Sequence, residues 1–215
     1  MTYTLHFHPL SSYCQKALIA LYELEVPFTK QIVDLSNPAE RDALVALWPM
    51  GKFPVLRDEA AGVTVAESTT VIEYVDHRAP KPRLLPSDAD AAREVRFRDR
   101  FYDLYVNTTM GKIVTDNLRP AGMRDPHGVG EAEKQLATAY DIANGWARAS
   151  QWAAGDSFSL ADCAAAPGLF YANKIQPFTT SHPHLAAYYA RLEQRPSFVR
   201  VLAEAEPYMK NFPGK

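Results

Sequence analysis

Apolar and polar residues alternate at the start of the chain and then change to a helical spacing. From Thr2 to Phe7 every second residue is apolar, which predicts a β-strand. From Cys14 onward apolar residues recur at intervals of three and four, which predicts a helix with one buried face. β-forming residues at 28–33 predict a second strand, and Pro38 after an asparagine predicts the start of a second helix.

The next segment has the pattern of a β-hairpin. Two short apolar runs, 54–57 and 63–65, flank a turn-rich segment that ends in Gly62. Helical spacing returns at 67–78, so the predicted order is βαβαββα. The first crossover requires parallel strands, whereas the hairpin adds an antiparallel one. We therefore expect a small mixed sheet with helices on both faces.

A proline-rich segment at 79–87 separates this part from the rest of the chain. Its three prolines exclude a helix interior or a central strand, so we interpret it as an interdomain linker. Beyond it the spacing is helical apart from a loop, and the predicted segments are a long helix at 88–118, a loop at 119–130, and helices at 131–150, 160–173, 183–194 and 197–206. The expected domains are therefore an α/β domain at 1–78 and an all-α domain at 88–215.

Composition and charge exclude several classes of protein. The 215 residues are 47% hydrophobic and 22% charged, which is typical of a globular chain and excludes a disordered or fibrous one. A formal net charge of −2 leaves no basic excess for nucleic acid as the main partner. No apolar run approaches the ~18 residues of a membrane span, and the N-terminus lacks the pattern of a signal peptide. The two distant cysteines fit a reducing, cytoplasmic setting and have no metal-ligand spacing.

The segment between the first strand and the first helix carries the first candidate for chemistry. Backbone N–H groups at a helix N-terminus are unpaired and the helix dipole is positive there, so the position favours an anion. A hydroxyl of Ser11 or Ser12 could donate a hydrogen bond to that anion. The alternative is that one of these serines only caps the helix, and on the local pattern alone capping is the better interpretation.

Two further dipeptides lie at the ends of predicted elements. Phe53-Pro54 opens a strand, and a cis bond there would free the backbone of Phe53 for an extended peptide ligand, although trans is the commoner state. Glu67-Ser68 stands where a strand turns into a helix. Ser68 could bind a carboxylate and Glu67 an ammonium group, or the pair could be an ordinary helix start.

The last motif is Ser159-x-x-Asp162, a reciprocal capping box in which aspartate replaces the usual glutamate, so Asp162 should matter for folding. Together the motifs, in this order and spacing, resemble those of the cytosolic glutathione transferases over essentially the whole chain. The resemblance implies a thioredoxin-like N-terminal domain and an all-α C-terminal domain. It also implies glutathione as co-substrate and no metal.

The resemblance also implies roles for individual residues. Ser11, with Ser12 as the alternative, would hydrogen-bond the glutathione sulfur and favour its thiolate form. The implied glutathione-binding residues are Lys52, Phe53, Pro54, Glu67 and Ser68. Position in the chain suggests an electrophile pocket formed by Leu10, Tyr102, Tyr105 and Met110.

The leading expectation is a glutathione S-transferase that activates glutathione as a thiolate for attack on small hydrophobic electrophiles. A second possibility is a glutathione-dependent cis–trans isomerase of the maleylacetoacetate type, although the first helix has Ser-Ser-Tyr-Cys where those isomerases have Ser-Ser-Cys-Ser. A third is a non-catalytic binding protein with the same fold. The family also implies a cytoplasmic homodimer, with helices 67–78 and 88–118 at its interface and a role in detoxification.

Overall fold

A four-stranded mixed sheet with three helices forms the N-terminal part of the computed structural model, which describes residues 2–80 and 84–213. The elements are β1 (Tyr3–Phe7), α1 (Ser12–Glu23), β2 (Phe28–Ile32), α2 (Pro38–Leu47), β3 (Val55–Asp58), β4 (Val63–Ala66) and α3 (Ser68–Asp76). The strand order is β2-β1-β3-β4. β1 runs parallel to β2 and antiparallel to β3, and β3 pairs antiparallel with β4. The predicted βαβαββα order and mixed sheet are confirmed.

Both faces of the sheet are covered because the strands present apolar side chains in both directions. On one face Tyr3, Leu5 and Phe7 are at most 1% exposed and belong to the large core that includes α1 and α3. On the other face Val55 packs in a smaller cluster with Leu44 of α2. The alternation in β1 therefore sets which side of the sheet receives α1 and α3.

The C-terminal part is helical, as predicted. Its elements are α4 (Ala89–Phe101), a π-helical turn (Tyr102–Asn107), α5 (Thr108–Asp116), α6 (Pro126–Ala149), α7 (Leu160–Ile175), α8 (Pro183–Glu193), α9 (Pro196–Ala205), and short 3₁₀ helices at Ala121–Met123 and Glu206–Asn211. α7 packs against α1, α4 and the π-helical turn, so it joins the two parts of the molecule. No helix within the described residues has the length and apolar character needed to cross a membrane.

Two helix boundaries differ from the sequence prediction. The predicted helix at 88–118 contains the π-helical turn, which apolar spacing does not reveal. The predicted loop at 119–130 is shorter, because α6 already begins at Pro126. Asp125 caps this helix by accepting a hydrogen bond from the Gly128 N–H at 2.7 Å. A proline is tolerated at the first helical position because an N–H there would have no partner within the helix. The predicted linker at 79–87 includes residues 81–83, which lie outside the described residues, so the domain boundaries stay a prediction.

Asp162 lies fully buried at the start of α7 and accepts four hydrogen bonds. The donors are the Ser159 N–H at 2.9 Å, the Ser159 hydroxyl at 2.9 Å, the Ala153 N–H at 2.8 Å and the Tyr188 hydroxyl at 2.7 Å. Burial raises the pKa of Asp162 to about 6, although these hydrogen bonds act to lower it. Asp162 therefore also joins α7 to Tyr188 of α8 and to Ala153 in the segment that precedes α7.

Lys16 on α1 is the centre of a buried ionic cluster. Its side chain is 1% exposed, and its Nζ lies 2.6 Å from Asp99 Oδ1 and 2.7 Å from Asp103 Oδ2. The same ammonium donates to Thr69 Oγ1 at 2.8 Å, and the Thr69 hydroxyl donates to Asp99 Oδ2 at 2.9 Å. Burial raises the pKa of Asp103, and the charge of Lys16 opposes that shift. The cluster joins α1 to α3, α4 and the π-helical turn.

Candidate functional site

Two neighbouring cavities open near the N-terminal ends of α1 and α3. The first has a volume of about 390 Å³. Its lining includes all five residues that the resemblance assigns to glutathione, namely Lys52, Phe53, Pro54, Glu67 and Ser68. These residues come from the loop before β3 and from the start of α3, so the fold of the sheet brings the two sequence motifs together.

The backbone has an unusual geometry at both of these motifs. The Phe53–Pro54 peptide bond is cis and directly precedes β3. Glu67 has a φ of 67° and a ψ of 126°, a conformation that costs a residue other than glycine about 1–3 kcal/mol. Its carboxylate is not used to cap α3, and Ser68 is buried as the first residue of that helix. The fold holds Glu67 in this strained conformation at the cavity wall.

The second cavity has a volume of about 440 Å³ and is lined by Leu10, Ser11, Ser12 and Met110, among others. It shares Tyr13 and Lys52 with the first cavity, so the two are neighbours. Ser11 is the N-cap of α1, and its Oγ accepts a hydrogen bond from the Cys14 N–H at 3.3 Å. The Ser11 side chain also hydrogen-bonds the Cys14 side chain. The structure therefore gives the capping role of Ser11, and its role as a donor to a ligand stays a prediction.

Two of the residues expected in the electrophile pocket lie elsewhere. Tyr102 is 1% exposed and packs in the core with its ring 5.5 Å from that of Phe101, and burial raises the pKa of its hydroxyl. Tyr105 lines a separate apolar groove with Phe97 and Trp146, between α4 and α6. Neither tyrosine lines the second cavity, so the expectation for these two residues, which rested on position in the chain, finds no support in that lining.

Several lining residues were not found from the sequence. In the first cavity they include Tyr13, Trp48, Arg100 and Asp103, and in the second they include Asn107, Tyr171 and Phe212. Tyr13 separates the two cavities, and its hydroxyl lies 3.3 Å from the Asp103 carbonyl oxygen and 3.0 Å from Thr108 Oγ1. The partners of Tyr13 are about ninety residues away in the chain, so no local pattern could identify this contact.

Neither cysteine is placed to act as a nucleophile. Cys14 and Cys163 are fully buried and form no disulfide. Burial raises the pKa of Cys14 to about 12 and also raises the pKa of Cys163. A thiol that stays protonated at neutral pH is a weak nucleophile. Among the described residues, no group of three or more side chains could hold a metal ion.

Comparison with known proteins finds relatives whose sequences align with most of this chain. It is 25% identical to glutathione S-transferase GstB of Escherichia coli K12, over 89% of this chain and 93% of that one. It is 26% identical to a maleylpyruvate isomerase from a Ralstonia species, over 88% and 91% of the two chains. Among solved structures, a glutathione S-transferase from Methylobacillus flagellatus KT with glutathione bound has a TM-score of 0.85 and 26% identity, over 93% of this chain and 98% of that one.

The family models agree with these relatives. The model described as the N-terminal domain of glutathione S-transferase matches residues 5–83, which contain the end of β1 and all of β2, β3 and β4. The model described as the C-terminal domain of glutathione S-transferase matches residues 108–196. The two matches, together with the four-stranded sheet and the helical part, show that the chain belongs to the glutathione S-transferase family, whose members are transferases.

Proposed function

We propose that the protein binds glutathione in the first cavity, activates its sulfur as a thiolate beside Ser11, and transfers it to a small hydrophobic electrophile in the second cavity. One observation carries this proposal. Ser11 lines a cavity that directly adjoins the one containing the five implied glutathione residues, with Tyr13 and Lys52 on the wall between them. A thiol bound in the first cavity therefore has a short path to the Ser11 hydroxyl.

The chemistry of the first cavity suits a short acidic peptide. The exposed ammonium of Lys52 is suited to the glycine carboxylate, and the start of α3 at Ser68 offers unpaired N–H groups for the other carboxylate. Glu67 supplies the negative charge for the α-ammonium of the γ-glutamyl group. The backbone of Phe53, next to the cis bond to Pro54, would take the cysteinyl part. Solved structures of relatives with glutathione or glutathione sulfonate bound support this assignment.

Activation of the sulfur follows from the position of Ser11. A free thiol has a pKa of about 8.5, so it is mostly protonated at neutral pH. A hydroxyl donor and a helix N-terminus both stabilise the thiolate, and each unit of pKa corresponds to about 1.4 kcal/mol. In this proposal the Ser11 hydroxyl, which caps α1 and lies beside the Cys14 thiol, donates its hydrogen to the glutathione sulfur. The thiolate then forms the carbon–sulfur bond to the electrophile.

Replacing Ser11 with alanine should lower kcat/KM about 10- to 100-fold, because a hydrogen bond to a charged group is lost. Glutathione should still bind, since the contacts in the first cavity are kept. Calorimetric titration in two buffers of different ionisation enthalpy should show a proton released by the wild type and less release by the variant. Ser12→Ala is the matched control and should behave like the wild type. Unchanged turnover in Ser11→Ala, or an equal loss of kcat/KM in Ser12→Ala, would show that Ser11 is not the residue that stabilises the thiolate.

Glutathione-dependent isomerisation of a maleyl acid is the second candidate, and the similarity to a maleylpyruvate isomerase favours it. The two reactions differ in the fate of glutathione. Transfer consumes free thiol in proportion to product, whereas isomerisation regenerates it. The concentration of free thiol, measured during turnover of a maleyl acid, therefore distinguishes the two activities: it falls with transfer and stays constant with isomerisation.

We also propose a cytoplasmic homodimer with a role in detoxification, in line with the family. Support for the dimer comes from α4 and the π-helical turn, where Phe97, Leu104 and Tyr105 are about half exposed despite their apolar character. Phe97 and Tyr105 line an apolar groove between α4 and α6, whereas Leu104 lines the first cavity. Exposed apolar patches of this kind often mark contacts between proteins. Buried thiols without a disulfide fit a reducing compartment.

Sedimentation equilibrium should show about twice the 24.0 kDa mass of one chain at micromolar concentration. Phe97→Glu should shift the equilibrium to the single chain, because it places a charge in an apolar contact. Arg93→Glu, on an exposed position of the same helix, is the control for charge alone. A wild type that sediments as one chain would contradict the dimer.

A further inference from the structure

The side chain of His8 folds back onto the turn that precedes α1. Its Nδ1 accepts a hydrogen bond from the backbone N–H of Leu10, two residues later, at 3.2 Å. The carbonyl oxygen of His8 accepts a second bond, from the Ser11 N–H at 3.0 Å. Because a backbone N–H can only donate, Nδ1 carries no hydrogen in this arrangement, and the hydrogen of the neutral imidazole is assigned to Nε2. Both the backbone and the imidazole of His8 therefore close the turn at residues 8–11.

The peptide group between Pro9 and Leu10 is held on both sides. Its carbonyl oxygen accepts a hydrogen bond from Gln15 Nε2 at 2.8 Å, and its N–H donates to His8. Gln15 is a fully buried residue of α1, so the first of these partners is fixed. A peptide group is planar, and the two bonds together set its orientation. Ser11 follows as the N-cap of α1, so this peptide group helps to fix the position of Ser11.

Two aromatic side chains from distant parts of the chain pack on the imidazole of His8. Phe53, which lines the first cavity, stacks on it with ring centroids 6.1 Å apart and an interplanar angle of 20°. Tyr208, in the 3₁₀ helix at Glu206–Asn211, meets it edge to face at 5.4 Å. These contacts restrict the rotation of the imidazole and keep Nδ1 directed at the Leu10 N–H.

Resting on the proposed function, we propose that His8 is a positioning residue whose neutral imidazole holds the turn at residues 8–11, so that Ser11 meets the glutathione sulfur. His8 lines neither cavity and acts through Leu10 and Ser11. Without the bond to Nδ1 the Leu10 N–H loses its partner, and the turn gains alternative conformations. The Ser11 hydroxyl then meets the sulfur in only part of them, so the thiolate is less well stabilised.

Only the neutral form of His8 can hold the turn in this way. Protonation places a hydrogen on Nδ1, which then faces the Leu10 N–H, and two donors cannot form a hydrogen bond with each other. Burial lowers the pKa of His8 below its usual 6.5, whereas the charge of Asp34 acts to raise it. The turn should therefore be held at neutral pH and released as the pH falls through the lowered pKa of His8.

The titratable groups near His8 on other elements, among the described residues, are those of Asp34, Tyr208 and Cys14. Asp34 follows β2, and its carboxylate interacts with the imidazole by charge. Tyr208 presents a phenol ring to it. The Cys14 thiol of α1 is hydrogen-bonded to the backbone of His8, and burial raises its pKa to about 12, so it stays uncharged. Asp34 thus supplies the charge that opposes the effect of burial on His8.

Two variants of His8 separate its hydrogen bond from the packing of its ring. His8→Asn keeps an acceptor, because an asparagine side chain readily bonds the N–H two residues later, but it loses the ring. His8→Phe keeps a ring between Phe53 and Tyr208 and has no acceptor. The thiol pKa of bound glutathione, measured by thiolate absorbance over a pH series, should stay near the wild-type value in His8→Asn. In His8→Phe it should rise by about one pH unit, which makes the thiolate-to-thiol ratio about tenfold smaller.

NMR of the free protein gives a second test that needs no glutathione. The nitrogen shifts of the His8 imidazole should show the hydrogen on Nε2 at neutral pH. Protection of the Leu10 amide from hydrogen exchange, corrected for the intrinsic rate, should fall about tenfold between about pH 7 and about pH 5. In His8→Asn it should be equal at both pH values. His6→Asn is the matched control, because His6 is a partly buried histidine of β1 whose pKa burial also lowers, and it should keep the wild-type pH dependence.

The outcomes separate this inference from the proposed function. A wild-type thiol pKa in a folded His8→Phe, or a raised one in His8→Asn, overturns the role of the hydrogen bond and leaves the transferase intact. Protection of Leu10 that does not change with pH in the wild type also overturns the inference alone, and this measurement decides if His8→Phe fails to fold. Glutathione that does not bind to the wild type, or binds with the thiol pKa of the free peptide, overturns the proposed function and the positioning role with it.

Discussion

Replacing Asp162 with alanine is expected to lower the free energy of unfolding by about 3–5 kcal/mol. The carboxylate accepts from Ser159, Ala153 and Tyr188, and its removal leaves these buried donors unpaired. Each unpaired buried donor costs about 1–3 kcal/mol, partly offset by the charge that no longer has to be buried. Urea denaturation followed by circular dichroism measures the loss.

Ser159→Ala is the matched control, because it removes a single hydroxyl from the same capping box and should cost only about 1 kcal/mol. The pH dependence gives an independent check. The pKa of Asp162 rises from 3.8 to about 6 on folding, so its protonation stabilises the fold below 3.8 and this contribution is lost as the pH rises through 6. The stability difference between wild type and Asp162→Ala should therefore be larger at pH 4 than at pH 7. A loss below 1 kcal/mol at neutral pH would contradict this account of Asp162.

Replacing Lys16 with methionine should also lower the free energy of unfolding by about 3–5 kcal/mol at neutral pH. Methionine fills a similar volume, but it leaves Asp99 and Asp103 buried without the ammonium that both contact. The pKa of Asp103, already raised by burial, should rise further, so the variant should regain stability as the pH falls from 7 to 5. Urea titrations at both pH values measure the effect.

Lys30→Met removes the same charge from the same length of side chain and is the control for Lys16. Lys30 pairs with Glu204 at 2.5 Å, but a third of its side chain is exposed. Ion pairs in contact with solvent contribute about 0–1 kcal/mol, so this variant should unfold almost like the wild type. If the free energy of unfolding fell equally in the two variants, burial of the Lys16 cluster would not be the reason for its contribution to stability.

The N-terminal fold could be predicted because its signals are local. Alternation in Tyr3–Phe7, the proline at 38 and the turn ending in Gly62 each act over a few residues, and the structure has the predicted elements there. The Ser159-x-x-Asp162 spacing likewise identified the start of α7. Family resemblance then supplied the residues of the first cavity.

The second cavity could not be predicted in the same way. Its wall includes Asn107 of the π-helical turn, which apolar spacing does not reveal, and position in the chain could not tell that Tyr102 and Tyr105 lie outside this lining. Tyr171 and Phe212 reach the site only through tertiary packing. The burial of Lys16 was equally hidden, because its partners Thr69 and Asp103 are 53 and 87 residues away in the chain.

The wall formed by Tyr13 and Lys52 has a thermodynamic consequence. Both side chains touch whatever fills either cavity, so a ligand that shifts them on one side changes the shape and charge offered on the other. The two binding events then share a coupling free energy, and each ligand alters the affinity of the other by the same factor. Because the Tyr13 hydroxyl is hydrogen-bonded to Asp103 and Thr108, that coupling also reaches the π-helical turn and the start of α5.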